Sequence, residues 1–221
     1  MRKTALPTLL AAGLAAAAFT ASTQAFAYGA GDFFTRVGVA KVEPKSDNGE
    51  LDLSPLLGNG AIVDTDVEDD SAFAFTLGYR VTDKLGVELL AADQFGHNFT
   101  LGDGAATGST DHLPPTLTVQ YYPLGGTAAR VQPYAGVGIN YTHFSNEKVS
   151  LADGTALDLD LDSSWGAAGQ LGVDLLIDDN WALNAAAWYI DIESDAKVEN
   201  VDVGTVEIDP VVVMAGISYR F

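Results

Sequence analysis

The sequence predicts an all-β protein, an eight-stranded antiparallel transmembrane β-barrel with short periplasmic turns and long acidic extracellular loops. Three observations carry that expectation. The chain ends on a strand, Val211 to Phe221, whose two faces suit two different solvents; seven earlier stretches alternate in the same manner; and the connections between them are short and long by turns. In the last strand Val211, Val213, Ala215, Ile217, Tyr219 and Phe221 share one face, and Val212, Met214, Gly216, Ser218 and Arg220 share the other, because successive side chains of a strand point to opposite sides. The aromatic pair Tyr219 and Phe221 ends the apolar stripe as an interfacial girdle would, and marks the terminus through which the barrel-insertion machinery is expected to act.

The other strands follow in order. Phe33 to Pro44 puts Phe33, Val37 and Val39 opposite Arg36, Gly38 and Ala40. After a long polar segment from Lys45 to Asp70, Phe73, Phe75, Leu77, Tyr79 and Val81 alternate with Ala74, Thr76, Gly78 and Arg80. A tight turn at Thr82-Asp83-Lys84 leads into Leu85 to Phe95, and a Gly- and Thr-rich loop, roughly Asn98 to Thr110, precedes His112 to Pro123. There Leu113, Leu117, Val119 and Tyr121 oppose Thr116, Thr118, Gln120 and Tyr122. Val131 to Phe144, Ser163 to Ile177 and Trp181 to Ile190 complete the set, separated by a turn near residue 126, an acidic loop from Phe144 to Leu161 and a turn at Asp178-Asp179-Asn180. An even number of strands of about ten residues, with both ends of the chain on the short-turn side, is the outer-membrane arrangement. A soluble barrel predicts the opposite polarity, apolar inside and charged outside.

The amino-terminal segment reads as a secretory signal. Arg2 and Lys3 precede an Ala/Leu-rich run from Leu6 to Phe19, and Ala25-Phe26-Ala27 offers a small-x-small cleavage site. The division is residues 1–27 as signal peptide and 28–221 as the barrel. The chain of 221 residues has no cysteine and a net charge of -19. It therefore carries no disulfide framework, and such acidity, with no basic cluster to neutralise phosphates, excludes a nucleic-acid partner. Acid collects between the strands, at Asp64 to Asp70, Asp158 to Asp162 and Glu193 to Asp202. These stretches read as solvated loop faces first and cation sites second.

Eight strands enclose room for side chains or one slender guest, so a wide aqueous pore is excluded. The charged inward residues Arg36, Arg80, Glu88, Asp174 and Arg220 all lie near the short-turn ends of their strands, where they form a periplasmic polar floor. Above them Val42, Leu90, Trp188, Ile190 and Met214, with Ala40, Ala168 and Ala186, form an apolar lumen suited to an apolar guest. An apolar molecule cannot cross desolvated charges cheaply, so a side exit is expected. Pro114 and Pro115 cannot donate to a ladder, which weakens pairing with the third strand around Gln94 to Gly96; the alternative is that they merely end a strand.

The segments DHLPPTLTVQYYP, VQPYAGVGINYTHF, DSSWGAAGQLGVDLLID, WALNAAAWYIDI and VVVMAGISYRF resemble the OmpW family of small outer-membrane barrels across essentially the whole mature chain. The resemblance implies an eight-stranded barrel in the Gram-negative outer membrane, with a hydrophobic lumen that admits small hydrophobic molecules and releases them sideways into the membrane. It also implies that His112, Leu113, Pro114 and Pro115 border the lateral gap, and that Leu90, Trp188 and Ile190 line the lumen. The very acidic loops depart from the family's pattern at the outer mouth.

No enzyme, cofactor or metal centre is expected. His97, His112 and His143 lie near loop ends of different strands without a metal-binding spacing. His143-Phe144-Ser145 resembles the imidazole and hydroxyl of lipid-deacylating barrels but lacks an orienting carboxylate. Asp153 to Asp162 alternates Asp with Leu and lacks the glycine and terminal glutamate of an EF-hand. The expected partners are outer-membrane lipid, lipopolysaccharide and small hydrophobic molecules. The competing reading is a structural or surface-binding barrel whose acidic loops engage external partners or divalent cations.

Overall fold

The computed structural model describes residues 29–221 apart from 46, 58–60, 93 and 105, so the expected signal peptide lies outside the described residues. Eight strands form the wall: β1 (Phe33–Glu43), β2 (Asp70–Arg80), β3 (Leu85–Ala92), β4 (Thr116–Tyr121), β5 (Val131–Leu151), β6 (Ser164–Leu176), β7 (Trp181–Ile190) and β8 (Val211–Arg220). Each pairs antiparallel with its sequence neighbours, and β8 pairs with β1 as well as β7, from Phe34 opposite Arg220 to Glu43 opposite Val211. Closure leaves no unpaired edge, the condition a sheet must meet to cross lipid.

The two faces of the wall are as different as the alternation predicts. On β8 Val212 and Met214 are buried while Val211 and Val213 are exposed, and outward Val137 and Leu171 are 71% and 68% exposed. Apolar side chains of that size turned outward identify lipid as the outer solvent. Aromatic contacts mark both edges of the band. Phe33–Tyr79 and Trp181–Tyr219, each with ring centroids 4.7 Å apart, and Tyr219–Phe221 at 5.1 Å lie at the short-turn edge. Tyr141–Trp165 at 4.8 Å lies at the other edge. From Val131 to Tyr141, at roughly 3.3 Å per residue and a tilt of about 40°, the wall rises about 25 Å, the height of an outer-membrane apolar band. Two glycines let large rings fold flat inside so narrow a barrel: a Cβ at Gly78 would overlap the Phe34 ring, and one at Gly172 the Tyr134 ring.

The outer half differs from the sequence expectation. The segments read as loops continue the sheet above the membrane. β5 runs to Leu151 rather than ending at Phe144, and Phe95–Leu101 and Ala106–Leu113 form a hairpin that pairs with its extension. The polar segment after β1 contains strands Glu50–Asp52 and Ile62–Val67 and a single helical turn, Ser54–Leu57. A second sheet, of Leu159–Leu161, Glu193–Val198 and Val201–Glu207, covers the first. The Asp and Leu alternation at Asp158 to Asp162 is therefore a strand alternation: Leu159 is buried and Asp160 exposed. Acidic side chains on the outer face masked the buried Leu, Val and Ile positions between them, because period-two patterning is short in each of these strands.

Candidate functional site

Inside the short-turn end the strands bring three ionic side chains together. The Arg36 guanidinium on β1 forms a two-pronged pair with Asp174 on β6, Nε to Oδ1 at 3.1 Å and Nη2 to Oδ2 at 2.6 Å, and an ion pair with Glu88 on β3. All three are buried, so each carboxylate must be bonded on its remaining lone pairs. Gln120 and Gln170 donate to Glu88 Oε1 at 2.7 and 2.9 Å, Thr76 donates to Glu88 Oε2 at 2.8 Å, and Asn184 donates to Asp174 Oδ1 at 2.8 Å. Tyr122 and Tyr134 close the network through bonds to Gln120 and from Asn184. Arg80 lies over the Tyr122 ring, its guanidinium carbon 3.4 Å from the centroid, and donates to the Asp83 carbonyl. Arg220 was expected inside this floor. It is partly exposed at the rim and pairs with Asp32 at 3.3 Å, because β8 ends there and its last side chains face the periplasmic edge. Tyr219 and Phe221 face outward, and the Phe221 amide donates to the Phe33 carbonyl at 3.0 Å. Alternation placed Gln120 and Tyr122 opposite the apolar face, but the charge partners of this network follow only from closure.

Above the floor the lining changes character. Ala40, Val42, Leu90, Ala168, Ala186, Trp188, Ile190, Val212 and Met214 are all buried. They form one apolar cluster, with only the Trp188 indole nitrogen among their buried side-chain polar atoms and without a hydrogen-bond partner. A small cavity of about 10 Å³ remains here, walled by Ala40, Leu90, Ala92, Phe95, Pro114 and Ile190 among others.

Beside that cavity the β3–β4 ladder is interrupted. Leu90 opposite Thr116 is the last pair of β3 with β4, and pairing resumes at Phe95 opposite His112. Among the described residues the interval holds Ala91 and Ala92 on one side and Pro114 and Pro115 on the other. The break was expected opposite Gln94 to Gly96, but Gly96 pairs with Asp111; the two prolines displace the break toward β3 because they remove donors at 114 and 115 alone. Of the residues assigned to the gap, Pro114 and Pro115 lie in it. Leu113 is paired on its other side, with His143 of β5. His112 is fully buried inside the protein rather than at a lipid-facing edge.

His112 belongs instead to a stack of rings across the lumen, above the aromatic edge of the membrane band. Its centroid lies 5.7 Å from Phe95, 4.8 Å from His97 and 6.1 Å from Phe144. Sequence spacing separated these histidines; the hairpin Phe95–Leu101/Ala106–Leu113 brings them together. Burial pushes the His112 imidazole down to about 3, and His97 acts in the same direction; burial lowers His97 as well, against the Glu68 carbonyl it bonds. Both are neutral at pH 7. Beyond them lies a second cavity of about 30 Å³ between the two outer sheets, lined by His97, Phe99, Leu101, Val149, Leu159 and Val206 among others. Among the described residues no group of three or more His, Cys, Asp or Glu is arranged to hold a metal ion. His143 meets Ser163 at 3.1 Å, and Ser145 donates to the Asp111 carbonyl, so the imidazole and hydroxyl of His143-Phe144-Ser145 turn to different partners.

Known proteins share this architecture. The chain is 41% identical over 205 residues to outer membrane protein W of Salmonella typhi, covering 90% of this chain and 93% of that protein. It is 37% identical over 220 residues to outer membrane protein W of Vibrio cholerae, covering 95% and 97%. The crystal structure of OprG from Pseudomonas aeruginosa superposes with a TM-score of 0.76 at 32% identity, over 90% of this chain and 99% of that one. The OmpW family profile matches residues 29–221. With eight closed strands, an apolar outer band and that match, the chain belongs to the OmpW family of outer-membrane barrels.

Proposed function

We propose that the barrel is a narrow hydrophobic conduit for passive uptake of small apolar molecules, which leave sideways into the membrane through the break between β3 and β4. One observation carries the reading: the apolar cavity above the floor is walled by Ala92 and Pro114 of the break itself, together with Phe95 just beyond it. The floor gives the direction. A guest continuing along the axis would have to strip hydrogen bonds from Arg36, Glu88 and Asp174, at a cost of several kcal/mol per uncompensated charge. Sideways it meets Ala91 and Ala92 opposite Pro114 and Pro115, where the ladder is broken, and then lipid.

The test is uptake of a medium-length alkane by proteoliposomes. Ala186 faces the lumen beside Met214, its partner in the β7–β8 register, so Ala186→Phe fills the passage. Uptake in the variant should fall to that of protein-free vesicles while the circular dichroism of the barrel is retained. Unchanged uptake in a folded Ala186→Phe barrel would remove the lumen as the path. No protein-dependent uptake in the wild type would favour a surface-binding role for the acidic outer strands.

A further inference from the structure

The exposed lining of the outer cavity is apolar, yet His97, one of its lining residues, holds an unspent acceptor. His97 Nδ1 lies 2.5 Å from the Glu68 carbonyl oxygen. A carbonyl only accepts, so Nδ1 carries the ring hydrogen, and in the neutral ring Nε2 is then a bare lone pair. Nε2 is the ring nitrogen farther from the backbone. It is buried with no hydrogen-bond partner, in a residue that is 1% exposed. The cavity lies between two sheets, one containing Phe95–Leu101 and the other Leu159–Leu161, and is lined by Phe99, Leu101, Leu159, Val198 and Val206. The Glu207 amide, bonded to the Asn48 carbonyl at 3.1 Å, ties the second sheet to the segment that enters the first, so a guest must widen the cavity between two joined sheets.

We propose that this cavity is a binding site for small apolar molecules carrying one hydroxyl, an aliphatic alcohol or a phenol, whose O–H donates to His97 Nε2 while its hydrocarbon lies against the two sheets. An acceptor left bare in an apolar site penalises guests that bring no donor, because its desolvation is then uncompensated. Hydrocarbons, ethers and esters are therefore disfavoured relative to alcohols of the same size. Thr65 Oγ1 is also buried without a partner on this cavity. Thr65 pairs opposite Leu101, four positions along the strand from His97 and so about 13 Å away, which puts it out of reach of the same hydroxyl. As the first stop of an entering guest the site rests on the conduit reading; as a binding site it is tested separately.

The experiment compares two isomers, hexan-1-ol and 1-methoxypentane, added to the full barrel in lipid nanodiscs with 13C,15N-labelled histidine. With three histidines in the chain the ring signals are few and assignable. Hexan-1-ol should shift the His97 signals saturably, and the ether should bind about tenfold or more weakly for want of one donor. Thr65→Val should leave that preference in place, and His97→Phe should abolish it. Equal, or non-saturating, responses to the two isomers would overturn the proposal, and the wild-type comparison alone is enough to do so. Hexan-1-ol uptake that is blocked by Ala186→Phe alongside equal isomer responses would leave the conduit standing and remove this site. Saturable His97 shifts with uptake indifferent to Ala186→Phe would do the reverse.

Discussion

Arg36 holds two buried carboxylates, Glu88 and Asp174, on opposite sides of its guanidinium. Removing the cation alone leaves two buried anions facing each other. Arg36→Met should therefore destabilise the folded barrel by about 3–5 kcal/mol, read from urea unfolding in lipid vesicles. Combining it with Glu88→Gln and Asp174→Asn, which remove the charges but keep the shapes, should recover most of the loss. The second residue-scale prediction concerns His112. Its folded pKa is about 3 and its ordinary value 6.5, so between those limits the opened outer strands bind a proton that the closed ones do not. Stability from this group is intact above pH 6.5 and falls as pH drops toward 3. The protection factors of the Phe95–Leu101 amides, taken relative to the intrinsic exchange rate at each pH, should fall between pH 7 and about pH 4.5, and this fall should be smaller in His112→Phe.

At the scale of elements, Pro114 and Pro115 divide what the alternation reads as one strand. The sequence named both prolines, with a weakened ladder and a plain strand end as alternative consequences. It placed the break a few residues too far along β3, because register across a gap is set by the hairpin beyond it and not by the prolines. Replacing them by Thr and Val, residues that suit strands, should let the β3–β4 ladder run on. Amides at 114 and 115 should then gain protection from exchange, and alkane release into the bilayer should slow severalfold while binding in the lumen persists. Faster release in the closed-ladder variant would argue against a lateral exit. The outer strands were the poorest part of the sequence reading. Three-residue stretches such as Leu159–Leu161 carry too few positions for alternation to stand out from acidic surroundings, and they become strands only because neighbouring β-structure supplies their partners.

For the whole molecule, closure is the decisive interaction. β8 bonds to both β7 and β1, so a chain ending at Asp209 exposes two strand edges in lipid, where no water can satisfy them. Such a truncation should yield no folded barrel, seen as loss of the β-sheet circular dichroism spectrum in vesicles. The sequence by itself determined the class, the number and facing of the eight wall strands, the side on which the termini lie and the inward residues Arg36, Arg80, Glu88, Asp174, Leu90, Trp188 and Ile190. Those follow from a period of two and from where turns fall, both local properties of the chain. Only the tertiary structure decided that Arg36 joins Glu88 and Asp174 while Arg220 sits at the rim with Asp32, and that His97 and His112 stack above an apolar lumen. Strand facing is written residue by residue along one strand. Which side chains meet across a barrel depends on the stagger of all eight strands together, and no single strand records it.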